Sequence, residues 1–142
     1  LSDFGKGKPI EIANGNFEEA DLSKDSLTKV RFSTLTNFKD ANLTSVNFSK
    51  SNQSDRISDC SFENADLTGP RFVGKALADV TMEGAVLDGT DFRQADLRNA
   101  HDLTLEQLKT AKVDRQTQLP NNVIAEIKAT RDKMPEWTAE FA

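Results

Sequence analysis

The chain has no tyrosine, one tryptophan, one cysteine and one histidine, and each scarcity removes a class of protein. Cys60 alone allows neither an intrachain disulfide nor a cysteine cluster for a metal, and it reads as a small buried apolar residue. His101 alone would have to serve every Ser/His/Asp or Cys/His arrangement, and it reads instead as a cap or turn residue. No glycine-rich phosphate loop, HExxH or CxxC occurs. The expectation is therefore a protein without catalytic residues, metal ligands or a cofactor. No run of about 18 apolar residues is present, so no membrane-spanning helix is expected. The chain begins at Leu1 with no charged-then-apolar leader, which fits either a removed targeting segment or a trimmed start.

Basic residues are also in the minority, 18 against 23 acids, for a net charge of −5. Residues 1–11 carry two of each sign and residues 104–142 six of each, so the imbalance lies wholly in residues 12–103, with fifteen acids and ten bases. Phosphate binding needs clustered Lys and Arg, so direct contact with nucleic acid is not expected.

What the chain does have is nine phenylalanines in a sequence only 37% hydrophobic, and these fall into a repeat. Phe17, Leu22, Leu27, Phe32, Phe38, Leu43, Phe48, Gln53, Ile57, Phe62, Leu67, Phe72, Leu77, Met82, Leu87, Phe92 and Leu97 follow a five-residue period, and 16 of these 17 are apolar. On an α-helix, residues five apart are rotated by roughly 140° and form no single face. On a continuous strand an odd spacing sends successive large residues to opposite sides. A short strand followed by a two-residue corner resets the phase and points every large residue inward.

The position two before the large residue shares its parity and is often small, as at Gly15, Ala20, Ala41, Cys60, Ala65, Ala85 and Ala95. A narrow interior selects that pattern. The residue just before the large one is polar at Asp21, Asn42, Asn47, Ser61, Asp66, Asp91 and Asp96, and is expected to face water.

Ala20-Asp21-Leu22, Ala41-Asn42-Leu43-Thr44, Ala65-Asp66-Leu67-Thr68-Gly69 and Ala95-Asp96-Leu97-Arg98 resemble the A(D/N)LXX consensus of pentapeptide-repeat proteins. The resemblance implies an all-β solenoid, a right-handed quadrilateral β-helix with four repeats per coil and about four coils here, capped by C-terminal α-helices. It divides the chain into an N-terminal cap at 1–11, the β-helix at 12–103, and a C-terminal helical cap and tail at 104–142. The frame gains one residue between Phe32 and Phe38 and loses one between Gln53 and Ile57. Stacking by coil on that frame gives walls Phe17/Phe38/Ile57/Leu77/Leu97, Leu22/Leu43/Phe62/Met82, Leu27/Phe48/Leu67/Leu87 and Phe32/Gln53/Phe72/Phe92. Leu35 is assigned to a bulge and Gln53 to a polar defect in its wall.

After the repeats, Thr104-Leu105-Glu106-Gln107 has the spacing of a capping box, opening a short helix to about Lys112. A second helix is predicted after Pro120, capped by Asn121 or Asn122, burying Val123, Ile124, Ile127 and Met134, and stopped by Pro135.

The function the resemblance implies is a non-catalytic protein-interaction or scaffold module with a protein partner, acting as a monomer or an end-to-end homodimer. Two candidate contact features stand out. Glu19, Asp40, Asp59 and Asp79 occupy equivalent corner positions and are expected to stack as one acidic column, suited to a basic partner. Trp137 and Phe141, four apart in the tail, are expected to dock on the last coil or to anchor a partner. The alternative function is that of some family members, an acidic mimic of duplex DNA that binds the type II topoisomerase gyrase; no loop insertion of the kind that contacts the enzyme is evident in the frame. Relatives of this kind in cyanobacteria and plastids leave the cytoplasm, the thylakoid lumen or the periplasm as compartments for a soluble protein.

Overall fold

The computed structural model describes residues 10–27, 30–33, 35–48 and 56–130. Its strands are β1 (Ile10–Ala13), β2 (Val30–Ser33), β3 (Arg56–Ser58), β4 (Ala76–Thr81) and β5 (Asp96–His101), followed by helices α1 (Leu105–Leu108) and α2 (Asn121–Ala129). Every pairing is parallel: β1 with β2, and β3 with β4 and then β5. Between these strands lie isolated parallel bridges such as Asn16 to Asn37, Asn37 to Ser61 and Ser61 to Thr81. The chain thus returns repeatedly to stack on itself, as a solenoid must.

The corners that follow the inward residues of the first three walls are built alike where they are described, except after Leu67, where Pro70 has no N–H to donate. The carbonyl of the large inward residue accepts from the N–H three residues on, as for Phe17 and Ala20 at 3.0 Å or Phe62 and Ala65 at 3.0 Å. The third residue of that turn has positive φ, at Glu19, Lys24, Asp40, Ser45, Asn64, Gly69, Gly74, Gly84, Gly89 and Gln94, as a type II turn requires. The Asp and Asn residues before the large position do not simply face water, as the sequence suggested. Their side-chain oxygens accept the N–H two residues on, from Ser23 to Asp21 (3.0 Å), Thr44 to Asn42 (3.1 Å), Thr68 to Asp66 (3.0 Å) and Arg98 to Asp96 (3.1 Å). A short side chain with an acceptor closes this turn, which favours Asp, Asn or Ser there, although Arg71, Thr81 and Val86 hold the same position in other repeats.

The register differs from the one expected. The first wall stacks Phe17, Phe38, Phe62 and Met82, each donating its N–H to the layer beyond: Phe17 to Asn37 O, Phe38 to Ser61 O and Phe62 to Thr81 O, at 2.8, 2.8 and 3.0 Å. By the same ladder the second wall is Leu22, Leu43, Leu67 and Leu87, and the third is Leu27, Phe48, Phe72 and Phe92. The fourth pairs Ile12 with Phe32 and Ile57 with Leu77. Ile57 therefore does not lie on Phe38, and Gln53, outside the described residues, is not needed to complete a wall. Phe48 on the third wall and Ile57 on the fourth are nine residues apart, four more than the period. That interval is the insertion the sequence frame did not reveal.

Ring stacking explains the choice. Phe38 lies parallel to Phe62 with centroids 5.2 Å apart and Phe48 parallel to Phe72 at 4.7 Å, while Phe17 on Phe38 and Phe72 on Phe92 follow at 5.3 and 5.4 Å. The two columns meet edge to face across the interior, Phe38 with Phe48 at 6.4 Å and Phe62 with Phe72 at 6.2 Å. Such contacts add roughly 0.5–1.5 kcal/mol per pair beyond area burial. The register that places Phe on Phe in both columns exceeds one that alternates Phe with Leu or Ile.

The ladder also continues past residue 103. Bridges join Asp91 to Lys112 and Asp96 to Gln118, so the third and fourth walls gain another layer after α1. Helix α1 is only four residues long and ends at Leu108, short of the expected Lys112. Thr104 and Gln107 form the capping box, and the Gln107 amide also donates to the carbonyls of Met82 (2.8 Å) and Ala85 (3.1 Å). The carbonyls of Ala20, Ala41 and Ala65 accept from the next layer, and at Ala85 the Gln107 side chain supplies that donor; the Met82 carbonyl accepts from Gln107 in addition to the turn N–H of Ala85. Pro120, not an asparagine, is the N-cap of α2; the Asn122 amide instead donates to the Leu103 carbonyl at 3.0 Å. Val123 and Ile127 are buried and Ile124 is packed against the core, while α2 ends at Ala129, well before Pro135. Met134 lies outside the described residues.

Two substitutions test this account by urea denaturation. Phe72→Ala removes a ring flanked by two stacked neighbours and should cost about 3–5 kcal/mol. Gln107→Glu keeps the capping acceptor but loses the donor to two carbonyls, and should cost about 1–3 kcal/mol.

Candidate interaction surface

The outer side of the first wall is assembled from turn residues. Position by position, Glu18 and Glu19 stand beside Lys39 and Asp40, which stand beside Glu63 and Asn64, then Glu83 and Gly84, as the bonds from Glu19 N to Lys39 O, Asp40 N to Glu63 O and Asn64 N to Glu83 O require. The corner leading into this wall carries Leu35, Asp59 and Asp79, with Asp59 N donating to Ala78 O at 3.0 Å. Asp102 joins at the far end, accepting from Thr81 Oγ1 at 3.1 Å.

Glu19, Asp40, Asp59 and Asp79 share the left-handed corner conformation, with φ between 53° and 58°, so their equivalence within the repeat is as expected. They do not form one column. Glu19 and Asp40 continue into Asn64 and Gly84 on one corner, whereas Asp59 and Asp79 share the other. The cause is the four-residue insertion, which moves Asp59 out of the column the sequence frame gave it. At Gly84 a Cβ would meet the Asn64 side chain, which would have to shift, and glycine takes the φ of +67° there without strain.

The two pairs nevertheless flank one wall. Counting its turns and both corners, that wall presents eight acids (Glu18, Glu19, Asp40, Asp59, Glu63, Asp79, Glu83, Asp102) and a single lysine among the described residues. Lys39 is engaged by Glu63 at 3.0 Å, and that bond holds its ammonium above its usual pKa. Across the interior the third wall carries more bases in its outward column and turns, where Arg71, Arg93 and Lys112 stand beside two acids, Asp91 and Asp114, among the described residues. Arg93 clasps Asp91 through two bonds of 2.8 and 2.7 Å, and Arg98 holds Asp96 likewise at 3.0 and 2.7 Å.

Cys60, Asp79 and His101 line one shallow recess with Leu35, Asp59, Ser61 and Thr81. They do not form a nucleophile with its base. The Cys60 thiol donates to the Ser58 carbonyl at 3.2 Å, and burial pushes its pKa up to about 12, so no thiolate exists at neutral pH. His101 contacts Asp79 at 3.2 Å with both side chains well exposed. Among the described residues no three His, Cys, Asp or Glu side chains are placed to hold a metal ion, and no helix is long and apolar enough to cross a membrane. Trp137 and Phe141 lie outside the described residues.

A family model described as pentapeptide repeats matches residues 60–99 in eight copies. The chain carries pentapeptide repeats. Solved structures of pentapeptide-repeat proteins share the fold. The protein alr5209 from Nostoc PCC 7120 is 20% identical with a TM-score of 0.51, covering 80% of this chain and 99% of that one. HetL from Nostoc sp. strain PCC 7120, involved in heterocyst differentiation regulation, is 18% identical with a TM-score of 0.50, covering 79% and 57%. Rfr23 from the cyanobacterium Cyanothece 51142 is 26% identical with a TM-score of 0.38, covering 81% and 67%. No curated protein sequence matches the chain.

The pentapeptide corners make a pH prediction. The Asp91 carboxyl is held below its usual pKa by its bonds to Arg93 against the opposing effect of burial, and Asp96 likewise by Arg98. A depressed folded pKa contributes stability above the unfolded value of about 4, and that contribution is lost as pH falls through the folded pKa. Asp91→Asn should therefore be less stable than the native chain at pH 7, by urea midpoint. The gap should close as pH falls below about 4.

Proposed function

We propose that this pentapeptide-repeat protein is a non-catalytic interaction or scaffold module, a right-handed quadrilateral β-helix of about four coils with helices covering its C-terminal end. It acts as a monomer or an end-to-end homodimer. Its recognition face is the first wall, and its partner is a protein with a basic surface. The observation that carries this reading is the charge of that wall, eight acids to one already engaged lysine, on a flat and exposed sheet face. Glu19, Asp40, Asp59 and Asp79 supply half of the acids, two at each edge of the face.

The same wall favours a second reading, in which repeated acids imitate a DNA strand and engage a type II topoisomerase. Against it stands the mixed charge of the third wall, with Arg71, Arg93 and Lys112 beside Asp91 and Asp114, since duplex DNA is negative on every side.

One variant tests both. Glu19, Asp40, Asp59 and Asp79 are changed together to Ser, and partners are captured from an extract of the source cells at low salt and at 0.5 M salt. Native protein should retain partners at low salt and release them at high salt, and the variant should retain few. Equal capture by both would remove the first wall as the recognition face. Inhibition of gyrase supercoiling by the native chain, lost in the variant, would decide for the DNA mimic.

A further inference from the structure

Leu35 stands 75% exposed, the largest exposure of any large apolar side chain among the described residues. Its φ is +53°, a conformation that is costly for a branched side chain and that Asp59 and Asp79, its neighbours along the same corner, tolerate well. Neither packing nor turn chemistry accounts for leucine here, because Asn or Gly would serve the fold better. An observed outlier of this kind, kept in place by the surrounding ladder, points to a role at the surface.

The surroundings indicate the role. Leu35 forms one side of the recess that Asp59, Ser61, Asp79, Thr81 and His101 complete, on the corner of the acidic first wall. We infer that Leu35 is the apolar anchor of a docking surface on that wall, and that the occupant is a Lys/Arg-rich peptide segment carrying one aliphatic side chain. This rests on the reading of the first wall as the recognition face. Charge decides the occupant: the recess carries Asp59 and Asp79 and adjoins the remaining acids of the wall, so a cationic segment gains from every carboxylate it passes. A second copy of the chain docked symmetrically through Leu35 would bring two acidic walls together, which like-charge repulsion opposes. The leucine adds what charge alone lacks, a point of fixed register along a surface whose acids repeat from layer to layer.

Two synthetic heptapeptides test the inference, each of alternating lysine and arginine around a central residue that is leucine in one and serine in the other. Calorimetric titration of the native chain should give about tenfold tighter binding of the leucine peptide, the value of partly burying one aliphatic side chain. In Leu35→Asn that preference should fall to about one while affinity for the serine peptide is unchanged. The urea midpoint of this variant should not drop, since Asn tolerates the left-handed region. Equal binding of the two peptides to the native chain, or a preference that survives in Leu35→Asn, would overturn the anchor and leave the acidic wall standing. Binding of neither peptide would overturn both. A native dimer that Leu35→Asn dissociates, seen by sedimentation, would also overturn the inference, because it assigns the leucine to a second copy.

Discussion

The structure depends on one constraint, that each layer must set its inward side chains on those of the layer beneath while the backbone hydrogen bonds between layers stay parallel. A ladder of such bonds fixes strand spacing at about 4.8 Å, close to the distance at which offset aromatic rings stack. Phe38 on Phe62 at 5.2 Å and Phe48 on Phe72 at 4.7 Å satisfy both requirements together. The corners follow from the same constraint, because a turn that redirects the chain within two residues needs a left-handed third residue and an acceptor to hold the entering N–H. Thr90 and Thr117 show how polar groups survive inside: each donates its hydroxyl to an inward-facing carbonyl, of Leu67 and Phe92 respectively.

Much of this was legible in the sequence. Period five excluded helix and flat strand, and the inward residues from Leu22 through Leu97 are buried wherever they are described, as are Ala41, Cys60, Ala65, Ala85 and Ala95 beside them. The stacking order was not legible, for an arithmetical reason. A gain of four residues and a loss of one shift a five-residue phase equally, so periodicity alone cannot distinguish them. Only the three-dimensional stack separates the two, since Phe62 falls on Phe38 in one case and on Leu43 in the other. The acidic column failed with the register: its members were correctly placed at corners, but a corner belongs to a column only once the layers are counted. The capping box at Thr104 was readable because it is local, whereas the contact of Gln107 with Met82 and Ala85 joins residues more than twenty apart and leaves no local signal.

The first wall shows how far fold and function can be told apart in a repeat protein. Aspartate at a left-handed corner is what turn chemistry favours, so Asp40, Asp59, Asp79 and Asp102, all at positive φ, are partly explained by the fold. Glu18, Glu63 and Glu83 are not. They occupy the turn position before the left-handed residue, where nothing in the backbone requires an acid, and the equivalent position on the third wall holds Arg93. Glu19 is a further exception, an acid at a left-handed corner without the short side chain that suits it. The charge of this wall therefore exceeds what its turns need, and it does so at positions where Lys or Ser would fold equally well. That excess, rather than the count of acids, distinguishes a surface shaped for contact from one shaped only by its corners.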